Sequence, residues 1–172
     1  MNCIHLRRLF FLFACLLFHL GVASDTRATE LNFNIAGLGN FSNIPQDYGD
    51  RATGETVGSF SYGAAEGFTP NVEVSYGPAD ADPAFWMGGY GDLTNILFKD
   101  RDSFIDLEVT FTADAGYNVT LHRWDMAAFT AAFSESPRIS AVDVRDGSGN
   151  VLFTQNDVLI DRDGHTRFDH SA

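Results

Sequence analysis

Hydrophobic and polar residues alternate along much of this chain with a period of two, the spacing of a strand that has one wet face. Leu31, Phe33 and Ile35 alternate with Asn32 and Asn34, and Val72, Val74 and Tyr76 alternate with Glu73 and Ser75. The clearest run is 105–111. Ile105, Leu107, Val109 and Phe111 fall on one side, and Asp106, Glu108 and Thr110 on the other. Val119 and Leu121 alternate with Asn118, Thr120 and His122, towards Trp124 and Met126. Asp114-Ala115-Gly116 lies between these two runs and reads as a turn, so the pattern predicts a hairpin. A second hairpin is predicted around Asp146-Gly147-Ser148-Gly149-Asn150, with Val142 and Val144 before it and Val151 and Phe153 after it. A last strand is expected over 165–170. The Ala-rich stretch 127–133 fits a short helix or a loop across a sheet edge. Elsewhere no long amphipathic helix is visible. About eight short strands separated by turns predict an all-β fold, a two-sheet antiparallel β-sandwich. The polar stretches 37–58 and 77–92 are too long for hairpin turns and read as crossovers or binding loops.

The N-terminus follows a different pattern. Arg7 and Arg8 precede an apolar run, LFFLFACLLFHLGV, and small residues follow at Ala23 and Ser24. That order is the order of a cleavable export signal. The run is shorter than the ~20 residues of a membrane-spanning helix; an N-terminal anchor is the alternative. The expected organisation is therefore a signal peptide over 1–24 and one β-sandwich domain over 25–172, secreted or displayed at the cell surface.

Removing the signal changes the composition. Both cysteines, Cys3 and Cys15, leave with it, so neither a disulfide nor a thiol site is expected in the domain. Twenty-three acidic against nine basic residues remain after Ser24, a net charge of −14. Such a field repels nucleic acid and anionic membrane surfaces. The field is compatible with neutral polysaccharide, with cations, or simply with solubility.

Three constellations carry candidate chemistry. Asp47 and Asp50 stand three apart in a Gly-containing loop and can offer hard oxygens to Ca²⁺; an aspartate-capped turn is the other reading. Asp161-Arg162-Asp163-Gly164 has the centre of a Ca²⁺ loop but lacks the flanking ligands, with Leu159 where one belongs. Asp169 joins the Asp47 loop as a ligand if the first and last strands are neighbours. The third constellation is aromatic. Trp86 and Tyr90, with Asp92 and Asn95, combine rings that stack on a sugar with groups that hydrogen-bond its hydroxyls; Trp86 as a plug of the core is the competing reading. Enzyme signals are weak: no nucleophile motif is present, and no carboxylate pair stands out among so many acids.

Several stretches together, IPQDYGDR (44–51), TPNVEVSYG (69–77), GYGDLTNILF (89–98), LEVTFTADAGYNVTLHRWDMAAF (107–129) and HTRFDHS (165–171), resemble secreted bacterial surface proteins of the PEP-CTERM type, the substrates of exosortases. The resemblance implies a jelly-roll-like domain, of the galactose-binding or carbohydrate-binding-module kind, outside the cell. The Pro-Glu-Pro sorting tail of that group does not follow residue 171, so either this copy is truncated or the protein is released rather than anchored. The expected function is a non-catalytic module of the surface or exopolysaccharide matrix, binding carbohydrate. A purely structural surface protein and a polysaccharide-processing enzyme are the alternatives.

Overall fold

The computed structural model describes residues 29–58, 60–63, 67–99 and 106–170. The expected export signal lies outside these residues. Eleven strands are present among them: β1 (Ser42–Asn43), β2 (Thr56–Val57), β3 (Phe60–Ser61), β4 (Val72–Gly77), β5 (Pro83–Trp86), β6 (Ile96–Lys99), β7 (Glu108–Ala113), β8 (Arg123–Met126), β9 (Arg138–Arg145), β10 (Val151–Leu159) and β11 (Thr166–Asp169). A single 3-10 turn, Ala79–Ala81, is the only helical element in the described residues. Every pairing is antiparallel. One sheet has the order β1-β5-β6, and the other strands pair as β2–β3, β4–β7, β8–β11 and β9–β10. The fold is all-β.

Two hydrophobic clusters organise these sheets. The first gathers Ile44, Tyr48, Ala52, Phe60, Tyr62, Val74, Tyr76 and Phe85, with Phe111 and Leu97 packed on its margin. The second gathers Ala128, Val158, Ile160 and Phe168, with Trp124, Met126, Ile139, Val142 and Phe153 around it. The first is built from the N-terminal half of the described chain and the second from the C-terminal half.

β4 shows how pattern becomes packing. Val74 and Tyr76 point into the first cluster while Glu73 and Ser75 face water, as the alternation requires. One edge of β4 pairs with β7 in the register Val74↔Phe111 and Tyr76↔Val109. The loop 46–51 covers the other edge. Val74 N–H donates to Asp50 Oδ1 at 2.6 Å, Tyr76 N–H donates to Gln46 Oε1 at 3.1 Å, and Arg51 N–H donates to the Val72 carbonyl at 2.7 Å. Side chains thus stand in for a neighbouring strand and satisfy buried backbone groups. Arg51 reaches across to Glu73 and Asp114, tying the loop to β4 and to the end of β7. Tyr48, from the same loop, lies at the centre of the cluster. Burial pushes the neighbouring Tyr76 hydroxyl far above the ordinary tyrosine range. That hydroxyl donates to the Tyr48 carbonyl at 2.8 Å.

The structure departs from the sequence pattern in three places. Residues 31–35 form no strand: Phe33 has φ +55°, and Asn32 Oδ1 accepts from Asn34 N–H at 3.0 Å, so a side-chain turn replaces the extended chain. Leu31, Phe33 and Ile35 nevertheless all pack on the first cluster. Among the described residues, the hairpin expected between 105–111 and 118–126 does not form. The turn exists, with Tyr117 N–H donating to the Asp114 carbonyl at 3.0 Å, but β7 pairs with β4, and β8 pairs with β11 in the register Trp124↔Phe168. Segment 127–133, for which helix and loop were both open, is loop and turn. The stretch 77–92, expected as a crossover or binding loop, holds strand β5, so Trp86 ends a strand. The second hairpin and the last strand are as expected. Asp146 organises the hairpin turn, accepting from Ser148 and Asn150 N–H groups and from the Asn150 side chain.

Candidate functional site

The four residues expected at a ligand face fall at one place. Trp86 closes β5, and residues 87–95 form the loop of the β5–β6 hairpin, in which Trp86 pairs with Ile96. Asn95 N–H donates to the Met87 carbonyl at 3.1 Å, and Leu93 N–H donates to the Tyr90 carbonyl at 2.9 Å, so the loop contains a turn within a turn. Asn95 takes φ +56°, a conformation asparagine tolerates better than most residues.

Three other segments are sewn to this loop. Asn40 Oδ1 accepts from Met87 N–H at 2.8 Å. The Thr130 N–H and hydroxyl both donate to the Gly89 carbonyl, at 2.8 and 3.0 Å. The third link runs through side chains. His165 Nδ1 lies 2.9 and 3.1 Å from the two oxygens of Asp92, and its Nε2 faces Asp125 Oδ1 at 3.9 Å. Arg167 donates to both oxygens of Asp125, at 2.8 and 3.0 Å. Gly91 rests against the backbone of Gly164. The loop is therefore the joint between the two clusters.

Its rings serve the same joint. Trp86 meets Phe41, Phe98 and Phe129 edge-on, with centroids 4.6, 5.6 and 5.5 Å away. Tyr90 stacks on Phe129 at 5.1 Å, and a backbone bridge joins the same two residues. Trp86 and Tyr90 are half-buried. Phe41 and Met87 are the exposed apolar members of the group, 57% and 53% exposed, and the Asp92 side chain, held by His165, is 55% exposed. Phe41 was not legible as a site residue, because a lone Phe in a polar stretch looks like an anchor of the core. Phe129 lay in a stretch that fitted helix or loop. His165 has its partner in Asp92, 73 residues away, and carries no local mark of that pairing.

The carboxylates expected to hold Ca²⁺ are placed apart. Asp47 and Asp50 close one turn, Asp50 N–H donating to the Asp47 carbonyl at 3.1 Å, and Asp50 commits one oxygen to Val74. Asp169 stands on β11 opposite Arg123, in the other half. Among the described residues, no three His, Cys, Asp or Glu side chains form a group able to hold a metal ion. Asp161 turns inward on its own loop, accepting from the N–H groups of Asp163 and Gly164.

The electrostatics of the joint predict an acid limit. Hydrogen bonds from Arg167 hold the Asp125 carboxyl below the usual carboxylate range, and backbone N–H groups of Gly164 and Asp163 do the same for Asp161. A depressed carboxyl favours the folded state above its unfolded value, about 3.9, and that contribution is lost as pH falls through the lower folded value. Urea midpoints are expected to hold steady near neutrality and to drop below about pH 4. Arg167→Met is expected to flatten that drop; an unchanged slope in the variant argues against the pair as its source.

No protein-family model, no curated protein and no solved structure matches the chain.

Proposed function

We propose that this chain is a non-catalytic, extracellular β-module of the cell surface or exopolysaccharide matrix, and that it binds neutral polysaccharide at the face formed by Phe41, Met87 and the β5–β6 loop. The finer architecture in this proposal is a two-sheet, jelly-roll-like sandwich. The observation that carries the reading is the exposed Phe41 ring held edge-on against Trp86. Phe41 offers a flat apolar surface. Asn40 adjoins it in sequence and ties it to Met87, and Asp92 and Asn95 belong to the same β5–β6 loop as polar groups for hydroxyls. The acidic field disfavours anionic chains and leaves neutral ones as ligands. Rings of this kind carry much of the energy of an interface when a ligand covers them.

A second reading has its own support. Trp86 and Tyr90 already pack on Phe98 and Phe129, so these rings join the two clusters whether or not a ligand binds. On this reading the module is purely structural.

Affinity electrophoresis through gels containing neutral polysaccharides separates the two. Retardation is expected for the protein, with an apparent affinity about tenfold lower in Phe41→Ala, the loss that follows from about 1.4 kcal/mol. The melting temperature of that variant is expected to stay close to the parent value, because Phe41 is exposed. No retardation by any neutral polysaccharide, or equal retardation of Phe41→Ala, leaves the structural reading.

A further inference from the structure

A second surface lies on the C-terminal half, away from this joint. Val119, Thr120, Leu121, Val144, Leu152, Phe153 and His170 line a groove of about 290 Å³. Its rim is apolar and open: Leu152 is 68% exposed, and Val119, Val151 and Tyr117 are exposed as well. The segment 118–121 that borders it is exposed or half-exposed and belongs to no strand, although its residues alternate as a strand does. Among the described residues, it makes no backbone hydrogen bond, whereas one residue on, the His122 carbonyl accepts from His170 N–H at 2.7 Å. A strand-like segment is thus presented beside an apolar groove, its backbone groups without a partner among the described residues.

The charge pattern and the sequence of the segment identify what fits there. The chain carries a net charge of −12, so two copies repel each other over most of their surfaces. Residues 115–121 and 147–156, which supply most of the groove and its rim, contain no charged side chain. The segment 117–123 is also matched to itself about Thr120. In an antiparallel pair centred there, Val119 stands opposite Leu121, Asn118 opposite His122, and Tyr117 opposite Arg123. Apolar residues meet apolar ones, polar meet polar, and a ring meets a guanidinium. Such a pairing is two-fold symmetric and closes on itself.

We infer that two copies of this chain associate by antiparallel addition of segment 117–123 to the same segment of the second copy, with Val119 and Leu121 of both copies covering the grooves. The contact is small for a stable dimer, which buries about 800 Å² on each partner, so the dimer is weak and concentration-dependent.

Engineered cysteines test the register directly. Pairing about Thr120 brings the two Thr120 Cα atoms to about 4.5–5.5 Å, within the span of a disulfide. In a Cys3→Ser, Cys15→Ser background, Thr120→Cys is expected to form a covalent dimer on mild oxidation, several-fold faster than Asn118→Cys, whose symmetry partner is His122. Sedimentation equilibrium of the parent protein is expected to show monomer and dimer in exchange. Leu121→Asp is expected to abolish the dimer while its melting temperature shows that the fold persists. Equal cross-linking of the two cysteine variants overturns the proposal. So does a parent protein that stays monomeric up to about 1 mM, the weakest affinity worth counting. A monomer whose groove takes up a small hydrophobic dye also overturns it, in favour of an apolar ligand.

Discussion

Tyr48→Ala is expected to lower the stability of the protein by about 3–5 kcal/mol, the range for removing a large buried ring. Tyr48 is 2% exposed and sits where four rings meet. Phe60 contacts it edge-on at 5.4 Å, Phe33 lies tilted at 5.5 Å, and Tyr62 stacks on it at 5.7 Å. Its hydroxyl accepts from Phe33 N–H at 3.1 Å and donates to Asn32 Oδ1 at 3.3 Å. The ring is the packing centre of the first cluster, and the hydroxyl fixes the irregular segment 31–35 upon it. Truncation opens a cavity and also leaves a backbone N–H without its partner. A domain of this size holds a total of about 5–15 kcal/mol, so the variant approaches the limit of folding. The melting temperature is expected to fall by roughly 6–20 °C. Tyr48→Phe separates the two contributions: it keeps the ring and loses the hydroxyl, for about 1–2 kcal/mol. Thermal melts of the two variants check this. A Tyr48→Ala protein that melts within about 3 °C of the parent rejects the ring as the packing centre.

The second large effect belongs to a residue without a side chain. Gly91 has φ +53°, in the left-handed region that costs other residues about 1–2 kcal/mol. A Cβ at this position also runs into the carbonyl of Gly164, and both partners are backbone. Neither can yield as a side chain would. Gly91→Ala is therefore expected to cost about 2–4 kcal/mol and to push the β5–β6 loop away from the 161–164 loop. The damage should be local in character. The next residue, Asp92, loses its hold on His165, so the imidazole resonances of His165 are expected to shift while those of His122 stay in place. Gly88→Ala is the control, from the same loop. Gly88 has no positive φ, and nothing lies within 4 Å of a Cβ built on it, so it should be close to neutral. If Gly91→Ala leaves both the melting temperature and the His165 resonances where they were, the two halves are not joined at this point.

These two residues also mark how far the sequence can be read. Elements fixed by neighbours were legible. The alternation of β4, the Asp146 turn with its flanking strands, and β11 all follow from periods and turn residues within ten positions of one another. The all-β class followed from their sum. The pairing of β7 did not, because alternation tells a strand which face to bury and says nothing about which edge it meets. The turn 114–117 formed as its residues dictate, and the chain still turned away: β7 meets β4, and β8 meets β11. Phe33 misled for a related reason. Its burial pattern is that of a strand, yet Asn32 offers the backbone a competing hydrogen bond and breaks the extension. At the candidate site, Trp86, Tyr90, Asp92 and Asn95 were found together because they are close in sequence. The partners that give the loop its role, Phe41, Phe129 and His165, lie far away along the chain and carry no local mark.

The mixture of near and distant pairings has a consequence for the route by which this chain folds. β9 and β10 meet across a short turn, with Arg145 opposite Val151. β4 must find β7 from Val74 to Phe111, and β8 must find β11 from Trp124 to Phe168. Closing a loop of that length costs about 1.6 kcal/mol more chain entropy than closing the hairpin, by the logarithmic law of loop closure. Each hydrophobic cluster depends on at least one of these distant closures. The two clusters therefore face similar entropic barriers, and topology alone lets the β9–β10 hairpin close ahead of either of them.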